Sequence, residues 1–379
     1  MYRKFTASRI FNGREFLEPG NTLVTDEAGK VLDIIPTEAE DERYEGILMP
    51  GMINCHCHTE LSHLKGKIPQ HTGLVEFVSQ VMQQRNLPQE AKDDAIASTI
   101  HEMQKEGIVA VGDICNTTDS VSHKVNSSIA WRNFVEVTGF VEATAAQRLQ
   151  EAKKVAGAFE EACLVPHAAY SVSEPLFRLI NDANRQLISI HNQESKEEDI
   201  FLQWGSGAFL KLYELLGIKL QAYRPSGKTS LQSWLPHFTH GQPVIAVHNT
   251  FTQEDDLLFA AASGHAMYYC VCIRANLYIE EAVPPLEALI RNRCAMVLGT
   301  DSLASNSRLS ILEEMRTIHH HFPHIPLQNL LQWATWNGAQ ALGFSALGSF
   351  EPGKKPGVLL LQGLEEFNIS GDTTVTRLI

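Results

Sequence analysis

Early in the chain an apolar run, Ile47-Leu-Met-Pro-Gly-Met-Ile-Asn-Cys55, empties into His56-Cys57-His58, and a much later apolar run ends in Gly299-Thr300-Asp301-Ser302. On a strand, side chains alternate between faces, so His56 and His58 point one way while Cys55 and Cys57 point the other. Two imidazoles about 7 Å apart on one face can grip one metal ion, and a distant carboxylate can complete the site. Alone, a His-x-His pair reads first as two packed or surface histidines. What lies between the two runs changes that reading.

Six further β-type runs follow the first: 107–114, 131–137, 162–167, 187–191, 243–248 and 265–272, with 294–301 as the eighth strand. Their near-continuous apolar character suits strands buried on both faces of a parallel sheet. Helical stretches fill the gaps at 74–106, 141–160, 173–186, 252–263, 283–293 and 310–321, with start signals at Ser173 before Glu174-Pro175 and at Thr252 with Asp255 three positions on. Eight βα units imply a (β/α)8 TIM barrel, whose active site lies at the C-terminal ends of the strands. His56, His58, His167, His191, His248 and Asp301 all fall at such ends.

At this point the chain resembles the amidohydrolase superfamily, in the aminohydrolase branch of cytosine, guanine, S-adenosylhomocysteine and aminofutalosine deaminases and triazine hydrolases. The matching pieces are Pro50 to His58, His191-Asn-Gln-Glu194, His248, Gly299 to Asn306, Ala334-Thr-Trp-Asn337 and Leu347 to Lys354. They span almost the whole chain in the right order. Glu60-Leu-Ser-His63, Pro166-His-Ala-Ala-Tyr170 and Glu194-Ser-Lys-Glu-Glu198 are most similar to aminofutalosine-deaminase-like members. The resemblance implies that residues 1–49 and 345–379, both short-strand texture with turns, form one small β-sandwich beside a 50–344 barrel.

His56, His58, His191 and Asp301 then make an N,N,N,O set suited to one divalent transition metal per chain, Zn2+ ahead of Fe2+. Superfamily members that hold two metals bridge them with a modified lysine on strand four; here that strand ends Val165-Pro166-His167 without one. A metal in such a site brings the pKa of its water from about 15.7 towards about 7. Glu194 stands where the resembling deaminases carry the glutamate that moves protons to the ring nitrogen and leaving amine. His248 is placed to orient the nucleophile or to stabilise the tetrahedral intermediate, and Asp301 can serve as ligand and proton acceptor. Glu60, Ser62 and His63 after strand one, His167 after strand four and Arg274 after strand seven are expected to line the substrate pocket, unless Glu60 and Arg274 pair with each other. The segment Cys272-Ile-Arg-Ala-Asn276 departs from a usual Cys-Pro-Arg-Ser-Asn.

Several of these residues also have plainer readings. Glu194 can be a helix-start acid favoured by the helix dipole. His319-His320-His321 and His324 read as a solvated helix end, and Cys270 with Cys272 lacks the second pair of a zinc knuckle. Arg224 to Lys228 reads as a loop within a 195–242 insertion, of the kind that shapes a barrel mouth.

Composition sets the bounds. Over 379 residues the net charge is −13, which argues against nucleic acid or an anionic membrane as partner. No apolar run approaches transmembrane length. The basic start without an apolar stretch behind it argues against secretion, and seven cysteines read as reduced thiols, so a cytoplasmic location is expected. The expected activity is deamination of an amino-substituted nitrogen heterocycle, a purine or nucleoside derivative, by a homo-oligomer. The alternatives are a chlorohydrolase or cyclic amidase of the same superfamily, and a non-catalytic ligand-binding barrel.

Overall fold

The computed structural model describes residues 1–379 except 39–42, 222 and 367. Strands β1 (Tyr2–Ile10), β2 (Asn21–Asp26), β3 (Val31–Pro36) and β4 (Arg43–Met49) come first. Eight strands follow: β5 (Met52–Cys57), β6 (Ile108–Cys115), β7 (Ala130–Val137), β8 (Ala162–Pro166), β9 (Ile188–Asn192), β10 (Pro243–His248), β11 (Ala266–Val271) and β12 (Ala295–Leu298). Two late strands, β13 (Leu359–Gln362) and β14 (Thr374–Arg377), return to the first four. Together the chain ends build one six-stranded sheet in the order β14-β13-β4-β1-β2-β3.

All eight middle strands pair in parallel, as two four-stranded sheets, β5-β6-β7-β8 and β9-β10-β11-β12. Single parallel bridges connect the sheets, Ala168 to His191 on one side and Cys57 to Asp301 on the other. One buried cluster takes side chains from both sheets, among them Ile53, Phe134, Val165, Ile245, Val247 and Val297. Val244 and Ala246 of β10, on the opposite face of their strand, belong to the larger cluster that includes buried helix faces such as Leu176, Phe177 and Ile180. Burial on both faces explains the apolar runs. Each such side chain contributes about 1.5–3 kcal/mol on leaving water.

Three local expectations change. The 74–106 stretch is two helices, Leu74–Gln84 and Gln89–Lys105, because Pro88 cannot continue the first and sits as the cap of the second. The start of helix Glu254–Ala262 is capped reciprocally by Gln253 and Asp256, one residue later than Thr252 and Asp255. Cys55 and Cys57 pack in different apolar clusters instead of sharing a face, since the pairing of β5 with β6 shifts register between Asn54 and Cys57. A bulge of this kind re-aims the last residues of a strand. Insertion 195–242 is built largely of helices, Lys196–Trp204, Phe209–Leu215 and Ser230–Trp234. Among the described residues no helix is long and apolar enough to cross a membrane.

Candidate metal centre and active site

The register shift falls before the last residues of β5, which carries His56 one residue from its end and leaves His58 as the first residue beyond it. Strand β12 reaches this point only because residue 299 is glycine: a Cβ there would meet Cys270 Sγ at 2.7 Å and His56 Cβ at 2.9 Å. Asn54 ties the two ends together, donating to Thr300 Oγ1 at 2.7 Å and accepting from the Thr300 amide at 3.1 Å. The amides of Thr300 and Asp301 both donate to the His56 carbonyl. Asp301 (φ 55°), His248 (φ 73°) and Gln193 (φ 46°) hold left-handed backbone without being glycine. Such strain persists where the surroundings over-determine it, characteristically at functional sites.

The four expected ligands converge, with His56, His58, His191 and Asp301 offering atoms within 4.8 Å of one another. His58 Nε2 lies 3.1 Å from His56 Nε2 and 3.3 Å from His191 Nε2, and Asp301 Oδ1 lies 3.3 Å from His58 Nε2 and 3.5 Å from His56 Nε2. Tetrahedral ligation with Zn–N of 2.0–2.1 Å requires N···N separations of about 3.3 Å, so the donor set fits such an ion. The chemistry fits too. Burial, ahead of its neighbouring imidazoles, lowers His58 to about 3 and His191 well below the ordinary range, leaving neutral rings with free lone pairs. Burial opposes ionisation of Asp301, but the His56, His58 and His248 rings outweigh it and hold the carboxyl well below its usual value.

Neighbouring groups fix the ligands. His191 Nδ1 meets the His167 carbonyl at 3.1 Å, which can only accept, so Nε2 is the atom left for the metal. Glu136 Oε1 stands 3.4 Å from the same Nδ1. Ser305 donates to Asp301 Oδ2, leaving Oδ1 towards the histidines. Behind His58, Asp113 accepts from the Thr59 amide at 2.8 Å and its hydroxyl at 2.7 Å, while Lys124 pairs with Asp113 at 2.5 Å.

Glu194 and His248 complete the centre. His248 Nδ1 lies 2.8 Å from Asn276 Oδ1, and its Nε2, buried and without a hydrogen-bond partner among the described residues, faces Glu194 Oε1 at 3.6 Å. Burial lowers His248 to about 4. Burial, with Asp301 next in weight, pushes Glu194 well above the carboxylate range, which favours its protonated form.

The residues expected to line the pocket separate into two groups. Glu60 is buried, and its carboxylate is taken up by Arg85 at 3.3 Å, the amides of Asn116 and Thr117 and the Thr117 hydroxyl. Ser62 donates to the Thr59 carbonyl, and His63 Nε2 to the Arg85 carbonyl. Arg274 does not pair with Glu60: it donates to Asn306 Oδ1 at 2.9 Å and Ser307 Oγ at 2.7 Å beside a cavity of about 240 Å3 that Ser305 and Tyr278 also line. His167, partly exposed, meets Ser171 Oγ at 2.7 Å. His319–His321 end the helix Ile311–His321 and join no metal-competent group among the described residues. A second such group, Glu136, His167 and His191, shares His191 with the first.

Sequence reasoning passed over Asn54, Asp113, Ser305 and Asn276. All four lay inside segments already singled out, and the buried charge of Asp113 within an apolar run was the clearest signal.

The amidohydrolase family model matches residues 47–376. The chain belongs to the amidohydrolase family. It is thus a hydrolase of carbon–nitrogen bonds other than peptide bonds. It is 26% identical over 380 residues to the 5-methylthioadenosine/S-adenosylhomocysteine deaminase of Symbiobacterium thermophilum, covering 90% of this chain and 80% of that protein. It is also 26% identical to the aminodeoxyfutalosine deaminase of Nitratiruptor sp., over 86% of this chain and 81% of that one. In structure this amidohydrolase is similar to the Helicobacter pylori aminofutalosine deaminase in complex with methylthio-coformycin, with a TM-score of 0.78 and 23% identity over 97% of this chain and 93% of that one.

Proposed function

We propose that this amidohydrolase deaminates an aminopurine nucleoside of the methylthioadenosine, S-adenosylhomocysteine or aminofutalosine kind. The observation that carries the reading is the juxtaposition of a buried Glu194 and a His248 Nε2 without a hydrogen-bond partner among the described residues, beside the four-donor cluster. His56, His58, His191 and Asp301 would hold one divalent metal, Zn2+ by donor type, and when bound it supplies Lewis acidity to the attacking water.

The chain's own groups do the rest. His248 Nε2 accepts a hydrogen bond from the attacking water and directs its oxygen at the ring carbon bearing the exocyclic amine. Glu194 donates its proton to the adjacent ring nitrogen, which removes the build-up of negative charge there. As the C–N bond breaks, one of the two protons that the water has released through Asp301 and Glu194 passes to the leaving amine and the other restores the Glu194 carboxyl, so water and amine give carbonyl and ammonia. General acid–base help of this kind supplies about 10^2 to 10^4 in rate. His167 and Arg274, with the partly exposed faces, carry the substrate contacts, whereas Glu60, Ser62 and His63 spend their polar atoms on holding the loop after His58.

The same reading takes the eight parallel strands as one closed (β/α)8 barrel over 50–344 and the six-stranded sheet as part of a β-sandwich of 1–49 with 345–379. It also takes the enzyme as a cytoplasmic homo-oligomer. Ammonia release by zinc-loaded protein from a panel of aminopurine nucleosides tests the function; release from none of them, with metal bound, rejects it.

A further inference from the structure

Glu194 sits on an unusual stretch of backbone. Gln193, just before it, has φ 46°. An L-residue does not hold that conformation by preference, so something else must hold it. One carboxylate does most of this. Glu198 Oε1 accepts from the amides of Glu194 at 2.7 Å and Ser195 at 3.4 Å, and its Oε2 accepts from the Gln193 amide at 3.1 Å. A helix cap needs only the Ser195 bond, which with the Ser195 side chain forms the reciprocal cap of helix Lys196–Trp204. The bonds to Gln193 and Glu194 reach outside the helix.

The far side of the same carboxylate is held by the insertion. Ser230 Oγ donates to Glu198 Oε2 at 3.0 Å, and the Ser230 amide donates to Asp199 Oδ1 at 2.6 Å. One turn on, the buried Trp234 Nε1 donates at 2.8 Å to Oδ1 of Asn192, which lies between His191 and Gln193. A third link runs through Asp256, whose two oxygens join Thr229 Oγ1 at 2.6 Å and Gln193 Nε2 at 2.8 Å. Helix Ser230–Trp234 and its cap Thr229 therefore grip the segment Asn192–Ser195 at three points, all buried or nearly so.

We propose that Glu198, backed by Ser230 and Trp234 of the 195–242 insertion, is a positioning unit for Glu194. It fixes the backbone from which the Glu194 carboxyl reaches His248 Nε2 and the substrate ring, so the insertion contributes to turnover and does more than cover the mouth. The inference rests on the proton-transfer role given to Glu194 above. A carboxyl displaced by an ångström loses much of its effect, up to about 10^2 in rate.

The test is a kinetic cycle in full-length, zinc-loaded protein with methylthioadenosine as the probe, accompanied by hydrogen exchange of the peptide covering 192–197. Glu198→Gln is expected to lower kcat by at least about 10-fold with KM and zinc content unchanged, the scale of misplacing a reacting group. In a Glu194→Gln background the same change is expected to add less than about 2-fold, because the group it positions is already disabled. Equal losses in both backgrounds, or a loss expressed in KM or zinc content, would overturn the proposal and leave Glu198 as a helix cap. Should Glu198→Gln fail to fold, Ser230→Ala removes a single outer donor; it is expected to lower kcat in the same direction and to speed exchange at 192–197. Unchanged exchange and unchanged kcat in Ser230→Ala would equally overturn it. If the wild type deaminates no nucleoside at all, the deaminase reading is what fails, and exchange at 192–197 alone decides whether the unit holds that segment.

Discussion

The imidazole of His248 and the carboxyl of Glu194 stand 3.6 Å apart, Nε2 to Oε1, with their pKa values displaced in opposite directions by the same burial. The histidine is lowered to about 4 and the carboxyl is raised, so in both the uncharged form is favoured. One group then offers a lone pair and the other a proton. Neighbouring titratable groups pushed apart in this way mark the acid and base of a site.

Replacing Glu194 with glutamine keeps size and hydrogen bonding but removes the transferable proton. The Glu194→Gln enzyme is expected to retain its metal and its melting temperature while kcat falls by at least about 10^2. Steady-state kinetics with metal analysis on the same preparation check this. Near-full activity would reduce Glu194 to a helix-start acid.

The donor cluster predicts one tightly held metal per chain. Elemental analysis is expected to give about one zinc equivalent. Added zinc is expected to raise the melting temperature of metal-free wild type, but not of a His58→Ala, Asp301→Asn double variant, since an ion that binds only the folded state stabilises by mass action. Two equivalents per chain would contradict the single-site assignment, and the Glu136, His167 and His191 group would be the place to look.

Asp113 and Lys124 form a buried ion pair whose acid holds Thr59, the residue after His58. Asp113→Ala strands a buried ammonium and is expected to cost about 3–5 kcal/mol in denaturant unfolding. The double change Asp113→Ala, Lys124→Met, which removes both charges, is expected to cost clearly less than the two single changes added together. A double variant as unstable as the sum of the single ones would show that the two residues do not act as a pair.

Glu314 supplies a pH signature. It is buried, accepts from the Arg274 amide and Asn306 Nδ2, and burial raises it from 4.5 to about 8. Between those values the folded chain holds a proton that the unfolded chain has released. Its contribution to stability is therefore full below about pH 4.5 and is lost as the pH rises through about 8. Melting curves of Glu314→Gln are expected to fall less steeply over that window than those of the wild type. Parallel curves would remove Glu314 from the pH dependence.

Much of this was legible in the sequence because the barrel-type architecture places chemistry at strand ends. The parallel strands read as apolar runs, and His56, His58, His191 and Asp301 fell at their ends in a family order. What escaped has a physical reason. The bulge in β5 is set by pairing with β6 and by the approach of Gly299, so alternation alone put Cys55 and Cys57 on one face. That the Glu60 carboxylate meets Arg85, Asn116 and Thr117 was not legible, because these partners are brought in from other segments. Pairing between distant polar residues leaves no periodicity to read. The same holds for the grip of Ser230 and Trp234 on the segment carrying Glu194.

The most direct test of the account is ammonia release, coupled to an enzymatic ammonia assay, by zinc-loaded wild type given adenosine, methylthioadenosine, S-adenosylhomocysteine and an aminofutalosine. The account predicts stoichiometric ammonia and the matching inosine-type product from at least one of them, abolished in Glu194→Gln. Zinc-loaded protein that releases no ammonia from any of the four, or that does so undiminished without Glu194, would contradict it.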